Sequence, residues 1–292
     1  MNMNAPEKLA FLPDIQSQVD KRRLRIDAVG VNRVRYPITI RSGERLQPTI
    51  ATLSMTVGLS AATKGTHMSR FIELLEAHTE ALDQAGFKAI LLDMLDRLEA
   101  VSGAIEMRFP YFVQKTAPAS GVQSQLDYEV CWRGRVSDEG RYSFWTHVTV
   151  PATSLCPCSK EISAYGAHNQ RSLISIEAEL AGEMAIEELI ARAERCASCE
   201  VYGLLKRPDE KYVTERAYDN PKFVEDIVRD VALALNQEPR VRAYVVEAEN
   251  FESIHNHSAF ARIVRTTPAA GSTQSGKKQD RYPHLLQTVA TR

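Results

Sequence analysis

The stretch Thr49-Ile50-Ala51-Thr52-Leu53-Ser54-Met55-Thr56-Val57-Gly58-Leu59-Ser60 alternates from end to end. Ala51, Leu53, Met55, Val57 and Leu59 fall on one side, and Thr52, Ser54, Thr56 and Gly58 on the other. A period of two marks a strand with one face on a core and one in water.

Downstream the period lengthens. Residues 69–79 place Phe71, Leu74, Leu75 and His78 at helical spacing, and residues 88–100 do the same with Ile90, Leu91, Met94, Leu95 and Leu98. Ala85-Gly86 is expected to connect the two helices. Strands are expected again at 104–115, 126–136 and 142–150, with Asp138-Glu139-Gly140 as a hairpin turn. The order then recurs: a strand over 172–180, an amphipathic helix over 186–197 and a charge-rich loop over 206–219. Asn220 and Pro221 are placed to open the next helix as N-cap and first residue, with Phe223, Val224, Ile227, Val228 and Val231 inward. A strand over 241–249 follows.

Strands, two helices and strands thus occur twice, which predicts an α+β protein of two tandem modules with antiparallel sheets. Residues 1–45 read as an extended N-terminal arm, 46–151 as the first module, 152–266 as the second and 267–292 as a loose tail.

Bulk properties narrow the class. The 292 residues are 44% hydrophobic and 25% charged, as in soluble globular chains. A net charge of -1 offers no global field for nucleic acid. Five cysteines do not make a secreted disulfide framework. No apolar run reaches the roughly 18–20 residues of a membrane span, and residues 1–20 lack the apolar core of a signal peptide. A cytoplasmic protein is expected.

Chemistry concentrates in Cys156-Pro157-Cys158-Ser159-Lys160-Glu161 and in Gly166-Ala167-His168-Asn169-Gln170-Arg171-Ser172. Thiolate and imidazole hold borderline metals or act as nucleophile and proton carrier. Cys-Pro-Cys lacks the spacing of a closed zinc ribbon, so one thiol on a metal and one free is the functional alternative to two packed thiols. Cys196-Ala197-Ser198-Cys199 has redox spacing but sits at a helix C-terminus, where the dipole does not favour a thiolate, and reads as idle.

His255 and His257, two apart in extended chain, point the same way and suit metal binding or proton transfer. Lys206, Arg207 and Lys211 are either a solvated charge run or a phosphate grip, with Glu210 as a possible oxygen ligand. Glu225 falls early in a helix, where a carboxylate is favoured in any case. No dinucleotide fingerprint, phosphate loop or nucleophile elbow occurs.

Together with Lys64-Gly65-Thr66-His67-Met68-Ser69-Arg70-Phe71, Leu204-Leu205-Lys206-Arg207-Pro208-Asp209-Glu210-Lys211, Asn220-Pro221-Lys222-Phe223-Val224-Glu225-Asp226 and Glu252-Ser253-Ile254-His255-Asn256-His257, these segments resemble GTP cyclohydrolase I of the type IB family, over residues 12–265. The resemblance implies a tunnelling fold of two ββααββ modules, assembled as a homotetrameric barrel with active sites between subunits. It implies hydrolysis of GTP to 7,8-dihydroneopterin triphosphate and formate, at the entry to folate and pterin biosynthesis. Metal-activated water would attack guanine C8, followed by ring opening and reclosure.

By position, Cys156, His168 and Glu210 would ligate a divalent Mn or Zn. Cys158, His255 and His257 would move protons, and Glu225 would anchor the guanine edge. Lys206, Arg207 and Lys211, with Arg171 or Lys160, would meet the triphosphate, and Glu252 would orient a histidine or the metal shell. A nitrile reductase of the same fold would need no such metal set, and a non-catalytic purine or metal module would bind without turnover. Neither nucleic acid nor membrane is an expected partner.

Overall fold

The structure, a computed structural model, describes residues 14–266. Its elements run β1 (Ile26–Ser42), β2 (Arg45–Leu59), α1 (Ser69–Ala77), α2 (Gln84–Arg97), β3 (Gly103–Thr116), β4 (Gln123–Val136) and β5 (Tyr142–Leu155). They continue α3 (Pro157–Ile162), β6 (Asn169–Leu180), α4 (Ile186–Cys196), β7 (Cys199–Glu200), α5 (Arg207–Asp219), α6 (Val224–Asn236), β8 (Val241–Asn250) and β9 (Ala259–Arg265). Eight strands form one path, β1-β2-β3-β4-β5-β6-β8-β9, with short β7 alongside β5. Every pairing is antiparallel. The result is an α+β fold dominated by an antiparallel sheet.

Alternation explains which face is covered. Leu53 and Met55 of β2, Ile105 and Met107 of β3 and Ile174 and Ile176 of β6 are all buried toward the helices. α2 brings Phe87 against Trp132 and Phe144, edge to face at centroid separations of 5.8 and 5.7 Å. Such pairs add about 0.5–1.5 kcal/mol beyond burial. Gly134 of β4 is required here, because a Cβ would lie 2.9 Å from the Phe87 ring. The opposite face is polar: Arg133 bridges Glu106 at 2.8 Å and Glu177 at 2.5 Å, beside half-buried His147.

Four local expectations are corrected. Residues 26–42, expected within an extended arm, form β1 along the length of β2; Val34, Tyr36, Ile38 and Ile40 alternate onto the core, while an exposed start and two register shifts obscure the period before them. The charged segment expected as a loop over 206–219 is α5, a solvated helix with only Asp209 and Ala217 buried, hence without an apolar stripe.

Asn220 closes α5, donating from Nδ2 to the carbonyls of Ala197 and Ser198 at 2.9 and 3.2 Å. The N-cap of α6 is Phe223, whose amide donates to Asp226 Oδ2 at 3.0 Å. Ala85-Gly86 lies inside α2, where Asp83 caps the helix by accepting from the Gly86 amide at 2.8 Å. The expected tail over 267–292, like residues 1–13, lies outside the described residues.

Candidate active site

β5 ends at Leu155, and the chain turns at Cys156 to cap α3. Pro157 suits the first helical turn because its missing amide proton has no intrahelical partner there. The Cys156 thiol accepts from the Ser159 amide at 3.4 Å. Gly166, at φ +124°, turns the chain back in a conformation that side chains resist. The loop then closes: the Cys156 amide donates to the His168 carbonyl at 3.1 Å, and the His168 amide donates to Ser159 Oγ at 3.2 Å. Half-buried Cys156 and His168 thus stand at the two ends of one closed loop, while Cys158 is exposed.

A second loop meets the first. His168 Nδ1 lies 3.0 Å from Gln170 Oε1 and 3.1 Å from Ser253 Oγ. Ser253 sits between Glu252 and the exposed His255 and His257, whose rings stack at 5.2 Å. The Phe251 amide donates to the Arg171 carbonyl at 2.9 Å, carrying the β6–β8 pairing into this loop. The Lys222 amide donates to the Leu155 carbonyl at 3.0 Å, so the start of α6, with exposed Glu225 in its first turn, borders the same sheet end. Cys156, Cys158, His168, Glu225, Glu252, His255 and His257 are therefore carried by elements that meet there.

Glu210, Lys206, Arg207 and Lys211 belong to the other end of α5. Asp209, fully buried, accepts from the amides of Ala119, Ser120 and Lys206, each at 2.8 Å, and from Ser120 Oγ at 2.6 Å. Burial alone would raise its pKa; these hydrogen bonds outweigh that and hold the carboxyl well below the usual range. This pins the start of α5 to the turn between β3 and β4.

At the far end of α5, Lys160 Nζ of α3 donates to the Tyr218 carbonyl at 2.5 Å and lies 4.3 Å above its ring. Glu210 is eight residues earlier, about 12 Å along the helix. It is exposed, with Arg207 3.8 Å away, while Lys211 pairs with Glu215 at 2.6 Å. Among the described residues, no three His, Cys, Asp or Glu side chains converge to hold a metal ion.

Cys196 and Cys199 are buried and unpaired, and burial pushes both thiols up to about 11. The sequence did not single out Gln170, Ser154, Ser172, Asn250 or Ser253, although Gln170 and Ser172 follow His168 at strand spacing.

In fold, the chain is similar to a hyper-thermostable AgUricase mutant, with a TM-score of 0.50 and 10% identity over 86% of this chain and 94% of that one. That likeness concerns architecture alone. Residues 12–261 match the family described as Type I GTP cyclohydrolase folE2. GTP cyclohydrolase FolE2 of Janthinobacterium sp. (strain Marseille) is 60% identical over 263 residues, 90% of this chain and 97% of that protein. GTP cyclohydrolase FolE2 of Paraburkholderia xenovorans (strain LB400) is 59% identical over 264 residues, 90% of this chain and 98% of that protein. The chain belongs to the type I GTP cyclohydrolase family of enzymes.

Proposed function

We propose that this protein hydrolyses GTP to 7,8-dihydroneopterin triphosphate and formate, the first step of folate and pterin biosynthesis, in the cytoplasm and with a divalent Mn or Zn. The observation that carries this is the closed loop presenting Cys156 and His168 together, with His168 engaged at Nδ1 and its Nε2 without a hydrogen-bond partner among the described residues. A histidine tied down through one ring nitrogen is how proteins present the other to a metal. Sulfur and nitrogen donors with one carboxylate oxygen suit Zn, and Mn accepts the oxygen-rich remainder of the shell.

Cys156, His168 and Glu210 would hold the ion, with Glu210 supplied by a neighbouring copy, because no third donor joins the pair among the described residues. A bound divalent ion would supply Lewis acidity and a water acidic enough to attack guanine C8 near neutral pH. The chain's own residues do the rest. Glu225 accepts two N–H groups of the guanine edge at once. Lys206, Arg207 and Lys211, with Arg171 or Lys160, pair with triphosphate oxygens. As the bonds from C8 to N7 and N9 break, each nitrogen takes a proton and C8 leaves as formate. Cys158, His255 and His257 carry those protons and the ones moved as the opened ribose recloses. Glu252, next to Ser253, orients a histidine or the metal shell.

We assign two ββααββ modules of a tunnelling fold, divided at the turn between β4 and β5, somewhat ahead of the boundary at residues 151 and 152 drawn from sequence. Four copies would close a barrel with sites between subunits. Support comes from β1 and β9, the two ends of the strand path, each left with one free edge among the described residues. No helix among those residues is long and apolar enough to cross a membrane.

The test is incubation of metal-reconstituted protein with GTP, followed by assays for formate and, after oxidation, for fluorescent neopterin. Product with Mn or Zn is expected; no product with either overturns the assignment. Cys156→Ala is expected to abolish both metal binding and turnover.

A further inference from the structure

Beneath His168 the core face of the sheet changes character. Along β6, buried Leu180, Ala178, Ile176 and Ile174 give way to Ser172 (0% exposed) and Gln170 (7%), and then to His168 itself. The neighbouring strands do the same at this end: β5 finishes its inward face with Ser154 (0%) and β8 with Asn250 (2%). Register explains the meeting, since Ser154 lies opposite Gln170 and Ser172 opposite Asn250.

The four side chains form one row. Gln170 Nε2 donates to Ser154 Oγ at 3.0 Å, and the Ser172 hydroxyl is placed to donate either to Ser154 Oγ at 2.9 Å or to Asn250 Oδ1 at 2.7 Å. A buried polar group left unpaired is destabilising, so such a row persists only if every member is satisfied.

Proton counting gives the row a direction. The Ser172 hydroxyl has one proton, and Asn250 Oδ1 is its shorter contact. With that proton on Asn250, the Ser154–Ser172 contact is kept only if the Ser154 hydroxyl turns to donate to Ser172, while Gln170 Nε2 donates to Ser154. That leaves Gln170 Oε1 facing His168 Nδ1, and a carbonyl oxygen can only accept. The proton of a neutral His168 is therefore on Nδ1, and Nε2 carries the lone pair. Running the row backwards requires both amides to turn over: Asn250 would donate inward, Gln170 would donate to Nδ1, and the His168 proton would move to Nε2, closing that nitrogen to a cation.

Resting on the ligand role given above to His168, we propose that Gln170, Ser154, Ser172 and Asn250 are positioning residues whose common hydrogen-bond direction, set at Asn250, keeps His168 in its Nδ1–H form with Nε2 directed to a divalent cation.

The test begins with metal-free, ¹⁵N-labelled wild-type protein at about pH 8, where an ordinary histidine is neutral. Long-range ¹H–¹⁵N correlations assign the His168 tautomer. Nδ1–H is expected, although free histidine prefers Nε2–H; an Nε2–H result overturns the proposal without any variant. Gln170→Met, close in size but unable to accept, is expected to shift His168 to Nε2–H. It should also weaken Zn or Mn affinity, measured by chelator competition, by about 10–100-fold, as loss of such partners generally does.

Asn250→Leu should act in the same direction from the far end of the row. Ser253→Ala, which removes only the exposed second partner of Nδ1, should leave affinity unchanged. A folded Gln170→Met with wild-type affinity and tautomer refutes the proposal. If wild type binds neither Zn nor Mn, the ligand role of His168 falls, while the tautomer still decides the direction of the row.

Discussion

The imidazoles of His255 and His257 lie nearly parallel, with 5.2 Å between ring centroids and 19° between planes. Residues 253–257 follow a bent course rather than the extended one expected, and the two rings still face each other in an exposed loop joined to His168 through Ser253. On the role proposed for them, two imidazoles so placed would serve one proton path. Each single alanine substitution is expected to lower kcat for GTP by about 10²–10⁴-fold. The double substitution should add little beyond the worse single, because groups acting as a unit are strongly non-additive. Steady-state kinetics on the three variants checks this; independent, multiplicative losses would show two separate roles.

The cysteines divide into two reactivity classes. Cys131, Cys196 and Cys199 are buried, and burial pushes each thiol up to about 11. Cys158 is exposed and Cys156 half-buried at a helix start. Brief iodoacetamide treatment of native protein should label Cys158 first and Cys156 next, with the other three labelled only after unfolding. Zn added beforehand should protect Cys156 more than Cys158. Peptide mass spectrometry reads both outcomes, and early modification of Cys196 or Cys199 would contradict the packing described.

His147 gives a pH signature with a defined sign. Burial, with Arg133 and Arg108 adding to it against Glu106, pushes its pKa down to about 4. The unfolded chain takes up the proton near 6.5 and the folded chain does not until about 4, so stability falls as pH drops through that window. His147→Gln should flatten this loss. If it removes about 1 kcal/mol of the dependence, the thermal midpoint falls by about 2–4 °C less between pH 7 and pH 5 than in wild type. Equal falls in both proteins would exclude His147 as the source.

What the sequence discloses depends on whether burial imprints a period. Residues 49–60 are legible because Ala51 to Leu59 alternate between core and solvent, and β2 is found there. β1 carries that signal only over its second half, where Val34, Tyr36, Ile38 and Ile40 alternate toward the core; before it, bulges interrupt the register. α5 hides for the opposite reason: a helix that buries only Asp209 and Ala217 looks like a charged loop. Asn220-Pro221 carries the signal of a helix start, yet Asn also serves helix ends, and tertiary bonds to Ala197 and Ser198 decide for the latter.

Within the site, thiols and imidazoles announce themselves by type. Ser154, Gln170, Ser172 and Asn250 are ordinary polar residues in sequence, and only the register of three strands, across 96 positions of chain from Ser154 to Asn250, makes them neighbours.

The buried carboxylate of Asp209 has a consequence for how this protein varies over time. It fastens a helix of the later half of the chain to Ala119 and Ser120 of the earlier half. The turn between β3 and β4 bears none of the proposed chemistry, yet its backbone shape sets where Lys206, Arg207, Glu210 and Lys211 are presented. A change of length in that turn is felt at the basic segment as directly as a change in the segment itself. Exchanging either half for that of a distant relative is therefore expected to displace the basic segment unless the Asp209 contact is kept.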